Sequence, residues 1–470
     1  MIKPVLLWTD ALVFLLVAVI VAFVLYARHR EHLRTPWREV LRSRLAMASL
    51  VVLAAYVLTG LLDSVHFRKA LPVKNGQQEI QYSGEVLSLF DLLMGPVRTQ
   101  VEKSYSAPFA VRLYTREAVI GPDGVQRRIY PRLRYGGRHL ADPDRERGPD
   151  IARRATLAAA ETAAAALLIL WLSSWRLARR HAETPRRMAR QLLRGDLDLP
   201  WRTALATVSL LLLLLFMLYN LAGAYHVFGT DKVGQDVLYQ TLKSIRTGLV
   251  IGTLTTLIML PFAIALGMMA GYFRGWVDDI IQYLYTTLNS IPGVLLIAAA
   301  VLMMQVYIAN HPELFETMTE RADMRLLFLC LILGITSWTG LCRLLRGESL
   351  KLRELEYVQA ATAFGVARAT ILIRHLLPNL MHLVLIAVVI DFSGLVLAEA
   401  VLSYVGVGVD PTTLSWGNMI NRARLEMARE PMVWWSLLAA FVFMFGLVLS
   451  ANLFSDAVRD AFDPRLRQRQ

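Results

Sequence analysis

Cysteine is nearly missing from this chain of 470 residues. The two present, Cys330 and Cys342, lie twelve positions apart in one apolar run. Along a helix that is about 18 Å, too far for a disulfide. A disulfide scaffold and a cysteine zinc site are excluded. Charge is scarce as well, at 19% of residues, against ~25% in soluble domains. Acidic residues are the rarer sign, 37 against 50 basic, leaving a net charge of +13. No basic stretch is interleaved with aromatics, which argues against a nucleic-acid partner. Motifs that carry chemistry are missing too. There is no G-x-x-x-x-G-K-[ST] loop to cradle ATP, no H-E-x-x-H, and no G-x-S-x-G elbow. Gly406-Val407-Gly408-Val409-Asp410 superficially suggests an intramembrane aspartyl site, but its spacing is off by one residue. No catalytic residue, metal ligand or bound cofactor is expected.

Apolar residues make up 56% of the chain and the mean hydropathy is +0.45. A soluble globule could not hide that much apolar surface, so lipid must solvate much of it. A helix needs about 20 apolar residues to cross the hydrocarbon. Nine stretches qualify or nearly so: 7–27, 45–63, 157–175, 203–223, 247–270, 280–305, 326–345, 380–402 and 433–454. Cytoplasmic loops retain arginine. Arginines crowd 28–44, 176–202, 346–374 and 459–469. All four regions fall on one side if the N-terminus is outside and nine spans follow. The first span has only Lys3 before it and no small-x-small cleavage site, so it is read as a retained anchor.

Residues 64–156 form the only sizeable soluble insert, a small α+β module expected outside. Ser83 to Val97 predicts a short amphipathic helix with a serine cap, ending near Gly95-Pro96. Phe109 to Tyr130 predicts two strands about Gly121-Pro122-Asp123-Gly124. The chain thus divides into a two-span region (1–63), the insert (64–156), an extra span with a basic linker (157–202) and a helical core (203–470). Pro36-Trp37-Arg38 and Pro200-Trp201-Arg202 echo one another. Duplication of a two-helix unit would give such an echo. So would coincidence at a membrane interface, where Trp and Arg are both favoured, and that is the preferred reading.

The most informative segment follows the seventh span. Glu356-Tyr357-Val358-Gln359-Ala360-Ala361-Thr362-Ala363-Phe364 favours helix, Gly365 breaks it, and a second short helix is expected from Val366 to about Leu376, closed by Pro378. Small residues at 360, 361, 363 and 365 leave little side-chain bulk. A helix–turn–helix of this shape suits docking, and an ordinary amphipathic connector is the plainer alternative.

Gln359-Ala360-Ala361, Gly365 and His375-x-Leu377-Pro378 resemble the EAA loop of ABC-importer permeases. Further stretches resemble the second permease of the dipeptide, oligopeptide and nickel importers: His226 to Val237, Ala270 to Asp278, Leu397 to Val409, Ser415 to Met419 and Arg459 to Arg465. The likeness runs in order over about 200–465, and Trp37 to Leu62 resembles the family's usual first span. It implies an all-α type I permease core in the bacterial inner membrane. It also implies a heterodimer with a sister permease, two ATP-binding subunits that carry the ATP and Mg, and an external solute-binding protein. Glu356, Tyr357, Gln359, Ala360, Ala361, Phe364, Gly365 and Pro378 would couple to an ATPase, with a second cytoplasmic contact at Tyr272, Arg274 and Asp278. Two departures stand out: Gln359 replaces the family's glutamate, and Gln235 its usual arginine. Residues 64–202 have no counterpart in compact members.

Polar groups inside the spans mark a pathway more often than a fold. Asp391 and Glu399 are eight residues apart, about 80° around a helix. Both are candidates for the substrate path, by contact with a peptide amino group or as part of a gate. For Glu399 the favoured reading is a tie to the 403–431 loop through Arg422 or Arg424. Ser415 to Arg429 predicts a helix at the outer face with Trp416, Met419, Ile420 and Ala423 on one side. Trp416 and Asn418, with Asp231 and Asp236, are expected at the external mouth. Gly267 and Gly271 form a small-xxx-small pair that implies close helix packing. Peptide is the expected cargo. Nickel or another small solute is the rival within the class, disfavoured because the spans lack a His/Cys cluster. A membrane receptor with the insert as sensor is the rival from another class.

Overall fold

The computed structural model describes residues 2–29, 31–71, 81–120, 126–315 and 317–462. A strand, β1 (Ile2–Val5), leads into α1 (Trp8–Arg28), α2 (Glu31–Arg42) and α3 (Arg44–Asp63). The insert holds β2 (His66–Ala70), β3 (Tyr82–Ser88), α4 (Leu89–Leu93), α5 (Gly95–Thr99), β4 (Glu117–Ile120) and β5 (Gln126–Ile129). Then come α6 (Pro143–His181), α7 (Pro185–Arg194), α8 (Trp201–Ala222), α9 (Val237–Phe273), α10 (Trp276–Ser290), α11 (Gly293–Asn310), α12 (Met318–Ser337) and α13 (Thr339–Arg353). The chain continues through α14 (Glu356–Ala363), α15 (Arg368–Ile371), α16 (Leu377–Val405), α17 (Trp416–Met427) and α18 (Trp435–Phe462).

Among the described residues nine helical segments are long and apolar enough to cross a membrane, one for each stretch read from the sequence. Two are much longer than their apolar runs. α6 has 39 residues and α9 has 37, because both continue beyond the hydrocarbon on polar residues that still favour helix. The sixth span is broken: α10 stops at Ser290, and α11 restarts after Pro292, whose ring cannot continue the helix.

α9 is the central strut, packed on α3, α10, α12, α13 and α16. Gly267 and Gly271 let it touch α13. A Cβ there would stand 2.8 Å from the Cys342 carbonyl and 2.6 Å from that of Arg346. This is the close packing expected of the pair. α3, the family-like first span, lies between α9, α18 and α8, and α6 lies outside α8. The extension is therefore layered onto the core.

Two features of the N-terminal third differ from the expectation. β1 is absent from the sequence reading, yet it pairs antiparallel with β2, and β2 with β3. The pairing joins residues more than 60 positions apart, which no local pattern announces. Ser83 to Ser88 is strand, not helix. The capping serine is Ser88, whose side chain accepts from Asp91 N while Asp91 accepts from Ser88 N. The strands about 121–124 are found at 117–120 and 126–129, and the turn itself lies outside the described residues. The Pro-Trp-Arg echo marks unlike places. Trp37 is inside α2, edge-on to Phe462, whereas Trp201 is the first residue of α8.

A buried ionic seam ties the extension to the core. Arg246 of α9 donates to Asp10 (2.5 Å) and to Thr9 (2.9 Å) of α1. Thr9 N donates to Asp323 of α12 (3.1 Å), and His66 of β2 meets Asp10 (2.7 Å). One turn earlier on α9, Lys243 reaches Asp91 (2.5 Å) and Asp63 (3.5 Å). β1 and the insert thus sit at the N-terminal end of α9. The C-terminal end of α18 packs on Trp37 and Val40 of α2, at the other end. That placement agrees with an odd number of crossings.

Candidate coupling site and its supports

The segment after α13 is built as a protrusion on a buried base. Val358 (1% exposed) and Ala361 (9%) seat α14 on a cluster that includes Ile371, Leu376 and Leu380. Its other face is bare. Glu356, Gln359 and Ala360 are exposed, and Phe364 is 87% exposed. Tyr357 accepts from Asn379 Nδ2 (3.0 Å), and Gln359 Nε2 donates to the Glu354 carbonyl (3.1 Å).

Gly365 ends α14 in the left-handed region, φ +73°. The Val366 N–H bonds the Ala361 carbonyl and the Gly365 N–H that of Thr362, both at 3.1 Å. This is the double closure that favours glycine after a helix. An added Cβ would meet nothing within 4 Å, so the constraint at Gly365 is conformational and not steric.

The second helix differs from expectation. α15 passes through a π turn, Leu372–Leu376, directly into α16. Pro378 does not close a helix. It lies in the first turn of α16, where a proline ring fits and its missing N–H costs little.

At the corner between α9 and α10, two of the three residues expected at a second cytoplasmic contact are buried. Asp278 is buried and takes two bonds from Arg346 of α13, at 2.6 and 2.7 Å. The guanidinium holds its carboxyl below the usual carboxylate range. Tyr272 is 7% exposed, and its carbonyl accepts from Arg353 (2.8 Å). Of the three, Arg274 is exposed, paired with Glu354 at 2.6 Å. Tyr272 and Asp278 therefore brace α13 immediately before α14. Arg346 and Arg353, read from sequence only as loop charge, are the partners.

The four residues expected at the external mouth are internal. Asp236 is 3% exposed; it caps α9 through Leu238 N (2.8 Å) and meets His226 at 2.7 Å. Asp231 accepts from Val233 N, Gln235 N and Gln240 Nε2. Trp416 (1% exposed) packs on Gly248 and donates to the Thr241 carbonyl. Asn418 holds the carbonyls of Asp410 and Thr413. Polar groups this deep need partners, and short local loops supply them.

Glu102 of the insert completes this clasp. One of its oxygens accepts from Tyr135 N (2.8 Å) and Gly136 N (3.2 Å), the other from Arg134 N (2.8 Å). His226 Nε2 stands 3.3 Å away. Burial opposes ionisation of both groups. Even so, the bonds to Asp236 and Glu102 lift His226 to about 9, and the imidazole and three N–H groups draw Glu102 down to about 2. Nothing local in sequence pairs Glu102 with a histidine 124 positions away.

Glu399 is 2% exposed under α17, bonded by Ser403 Oγ at 2.7 Å. It does tie down the following loop, but through serine and the Gly417 contact, not through Arg422 or Arg424. Those bond the Pro411 carbonyl and lie over Tyr404. Asp391 is half-buried on α16 and has no bonding partner among the described residues.

Among the described residues the chain is thus a bundle of membrane-crossing helices with a short, glycine-capped helix on its surface. The chain belongs to the family of binding-protein-dependent transport system inner membrane components, whose model matches residues 263–468. A glutathione transport system permease protein of Pectobacterium atrosepticum is 31% identical over 52% of this chain and 73% of its own length. An oligopeptide transport system permease protein of Mycobacterium tuberculosis is 31% identical over 52% of this chain and 78% of its own. A dipeptide transport system permease protein of Bacillus subtilis is 29% identical over 52% and 71%. The chain is a multi-pass permease subunit of an ABC importer, and ATP hydrolysis belongs to partner ATPases.

Proposed function

We propose that this chain forms half of the translocation path of a peptide importer and is driven through α14. The observation that carries the reading is the Glu356–Gly365 protrusion, with Phe364 bare beside Ala360 and Gly365. The names of the relatives support peptide as cargo. The other half is a sister permease. Two ATP-binding subunits carry ATP and Mg, and an external binding protein delivers the peptide. The end of α9 that holds β1 and the insert faces outward, and the α14 end faces the cytoplasm beside the arginine-rich loops.

In this reading α14 seats in a groove on one ATPase. Closure of the ATPases on ATP pushes it, and Arg353–Tyr272 and Arg346–Asp278 carry the push into α9 and α10. The helix transmits work only by binding the two ATPase states with different affinity. Asp391, lacking an internal partner, offers its carboxylate to a peptide amino group in the path.

The test is co-purification of the ATPases with Gly365→Asp and Phe364→Ala, beside ATP-dependent peptide uptake. Loss of both in either variant supports the reading. Retention of both in Phe364→Ala, which leaves the backbone untouched, overturns it. For Asp391, unchanged peptide uptake in Asp391→Asn removes it from the path.

A further inference from the structure

We propose that α7 is a binding surface for anionic phospholipid headgroups, fixed at the membrane boundary by the ends of α6 and α8. This lies outside the transport reading and depends on no part of it.

The stretch 176–202 holds eight arginines and only Glu183, Asp196 and Asp198 as acids. Retention of positive loops on one side explains that such charge exists. It does not explain how α7 arranges it. Met188 (1% exposed) and Leu192 (0%) turn inward, to a cluster with Ala178 and Leu177 of α6 and Trp201 and Leu205 of α8. At 100° per residue Arg186, Arg187, Arg190 and Arg194 fall within an arc of about 100° on the opposite side. All four are exposed. Among the described residues their one acidic ion-pair neighbour is Glu183, 3.9 Å from Arg187. Such a pair at the surface contributes little.

The level of α7 is set by what it packs on. Leu177 and Leu205 belong to the last and first turns of two membrane-crossing helices. Trp171 and Trp175 of α6 are 59% and 38% exposed, and Arg179 lies over the Trp175 ring at 3.6 Å. Exposed indole rings beside arginine mark the headgroup layer. α7 therefore does not hang free in water. Its guanidinium row runs along the layer where phosphates lie, and a planar guanidinium pairs with phosphate through two parallel bonds. A protein partner is the weaker candidate. Among the described residues α7 packs chiefly on α6, which lies outside the core, and on the start of α8. A cluster of basic side chains beside a membrane span attracts anionic lipid, and each added residue strengthens the attraction.

The experiment is native mass spectrometry of the full chain released from nanodiscs of phosphatidylcholine mixed with phosphatidylglycerol. The variants are Arg186→Gln/Arg187→Gln/Arg190→Gln/Arg194→Gln and a control, Arg128→Gln/Arg134→Gln/Arg138→Gln/Arg147→Gln, which removes four exposed arginines from the insert and the start of α6. The α7 variant should lose most of the retained phosphatidylglycerol, at least tenfold relative to phosphatidylcholine, and the control should keep it. The same four positions as lysine should restore part of it. Equal retention by the α7 variant and the unaltered chain overturns the proposal. Equal loss in the control overturns it too, by reducing the effect to net charge. Loss of a co-purifying protein with phosphatidylglycerol retained would assign the surface to that protein instead. The arginines are exposed, so folding should survive, and an unchanged melting temperature checks this.

Discussion

The two ends of α9 treat polar groups in opposite ways. At its first turn Asp236, His226 and Glu102 answer one another and the surrounding N–H groups, and all three are buried. At its last turn and the start of α10, Arg353–Tyr272 and Arg346–Asp278 brace α13, but the α14 that follows is capped by Phe364, bare to solvent. The ends are about 54 Å apart along the helix. A closed set of charges resists motion, because each group removed leaves another unpaired. An exposed aromatic on a capped helix contributes little to its own fold and has its use elsewhere. In the proposed reading the difference separates a permanent joint from a moving part, and the insert is fastened to the core at the joint.

The largest effect expected is at the joint. Glu102→Ala strands three N–H groups and removes one of two carboxylates from a buried imidazolium. It should cost about 3–5 kcal/mol, the range for breaking a buried ion pair from one side. Thermal unfolding of the purified protein measures it. A loss below 1 kcal/mol would mean that the joint is not closed. Glu102→Gln should recover part of the loss, since the amide oxygen still accepts.

The same joint should titrate. His226 is lifted from 6.5 to about 9. Its folded value lies above its unfolded one, so its contribution is fully present below about 6.5 and is lost as pH rises through about 9. Glu102 is held at about 2 against 4.5, so its contribution is present above about 4.5 and fades as pH falls towards 2. Melting temperature should fall between pH 6.5 and 9. His226→Gln should flatten that fall while lowering stability throughout. A slope unchanged in His226→Gln would place the titrating group elsewhere.

At the other end the brace is more exposed. Asp278→Ala removes two charge-assisted bonds from Arg346, whose side chain is 24% exposed. It should cost ~1.5–3 kcal/mol, less than the joint, because water can reach the freed guanidinium. Its sharper signature is uncoupling: ATPase co-purification kept, and uptake reduced more than stability accounts for. Equal loss of both would make the pair a plain structural bridge.

How much of this was legible in sequence follows from range. Nine apolar runs announce nine crossings, because span length is a property of consecutive residues. The Gly365 break and the Ala-rich helix before it are local too, and they stand where expected. Misreadings arise where a partner is distant. Ser83–Ser88 became strand because β2 lies beside it, and β2 in turn holds β1. Pro378 did not stop a helix because it lies in the first turn of α16, where a proline ring fits. Asp231, Asp236, Trp416 and Asn418, expected at an external mouth, are buried. Their burial depends on Glu102 and on α17, which no spacing discloses. Tyr272 and Asp278 are buried because Arg346 and Arg353, more than 60 positions away, bond them, and no local spacing announces that.

The smallest change in stability should come with a large change in function. Phe364→Ala removes a ring that is 87% exposed. It leaves Gly365, its double closure and the Val358–Ala361 base intact. Substitutions at such surface positions stay within about 0.5 kcal/mol, so the melting temperature should not move. If the ring is the knob an ATPase groove receives, the energy it contributes appears only in the complex, where truncating a buried aromatic anchor costs at least ~2 kcal/mol. That corresponds to roughly thirtyfold weaker association, with uptake falling alongside. The joint behaves in reverse: Glu102→Ala should lower stability without touching ATPase affinity. The two variants together form a double dissociation between fold and coupling. If Phe364→Ala unfolds the chain, or if Glu102→Ala releases the ATPases at temperatures where it stays folded, the two ends of α9 are not the separate devices their geometry describes.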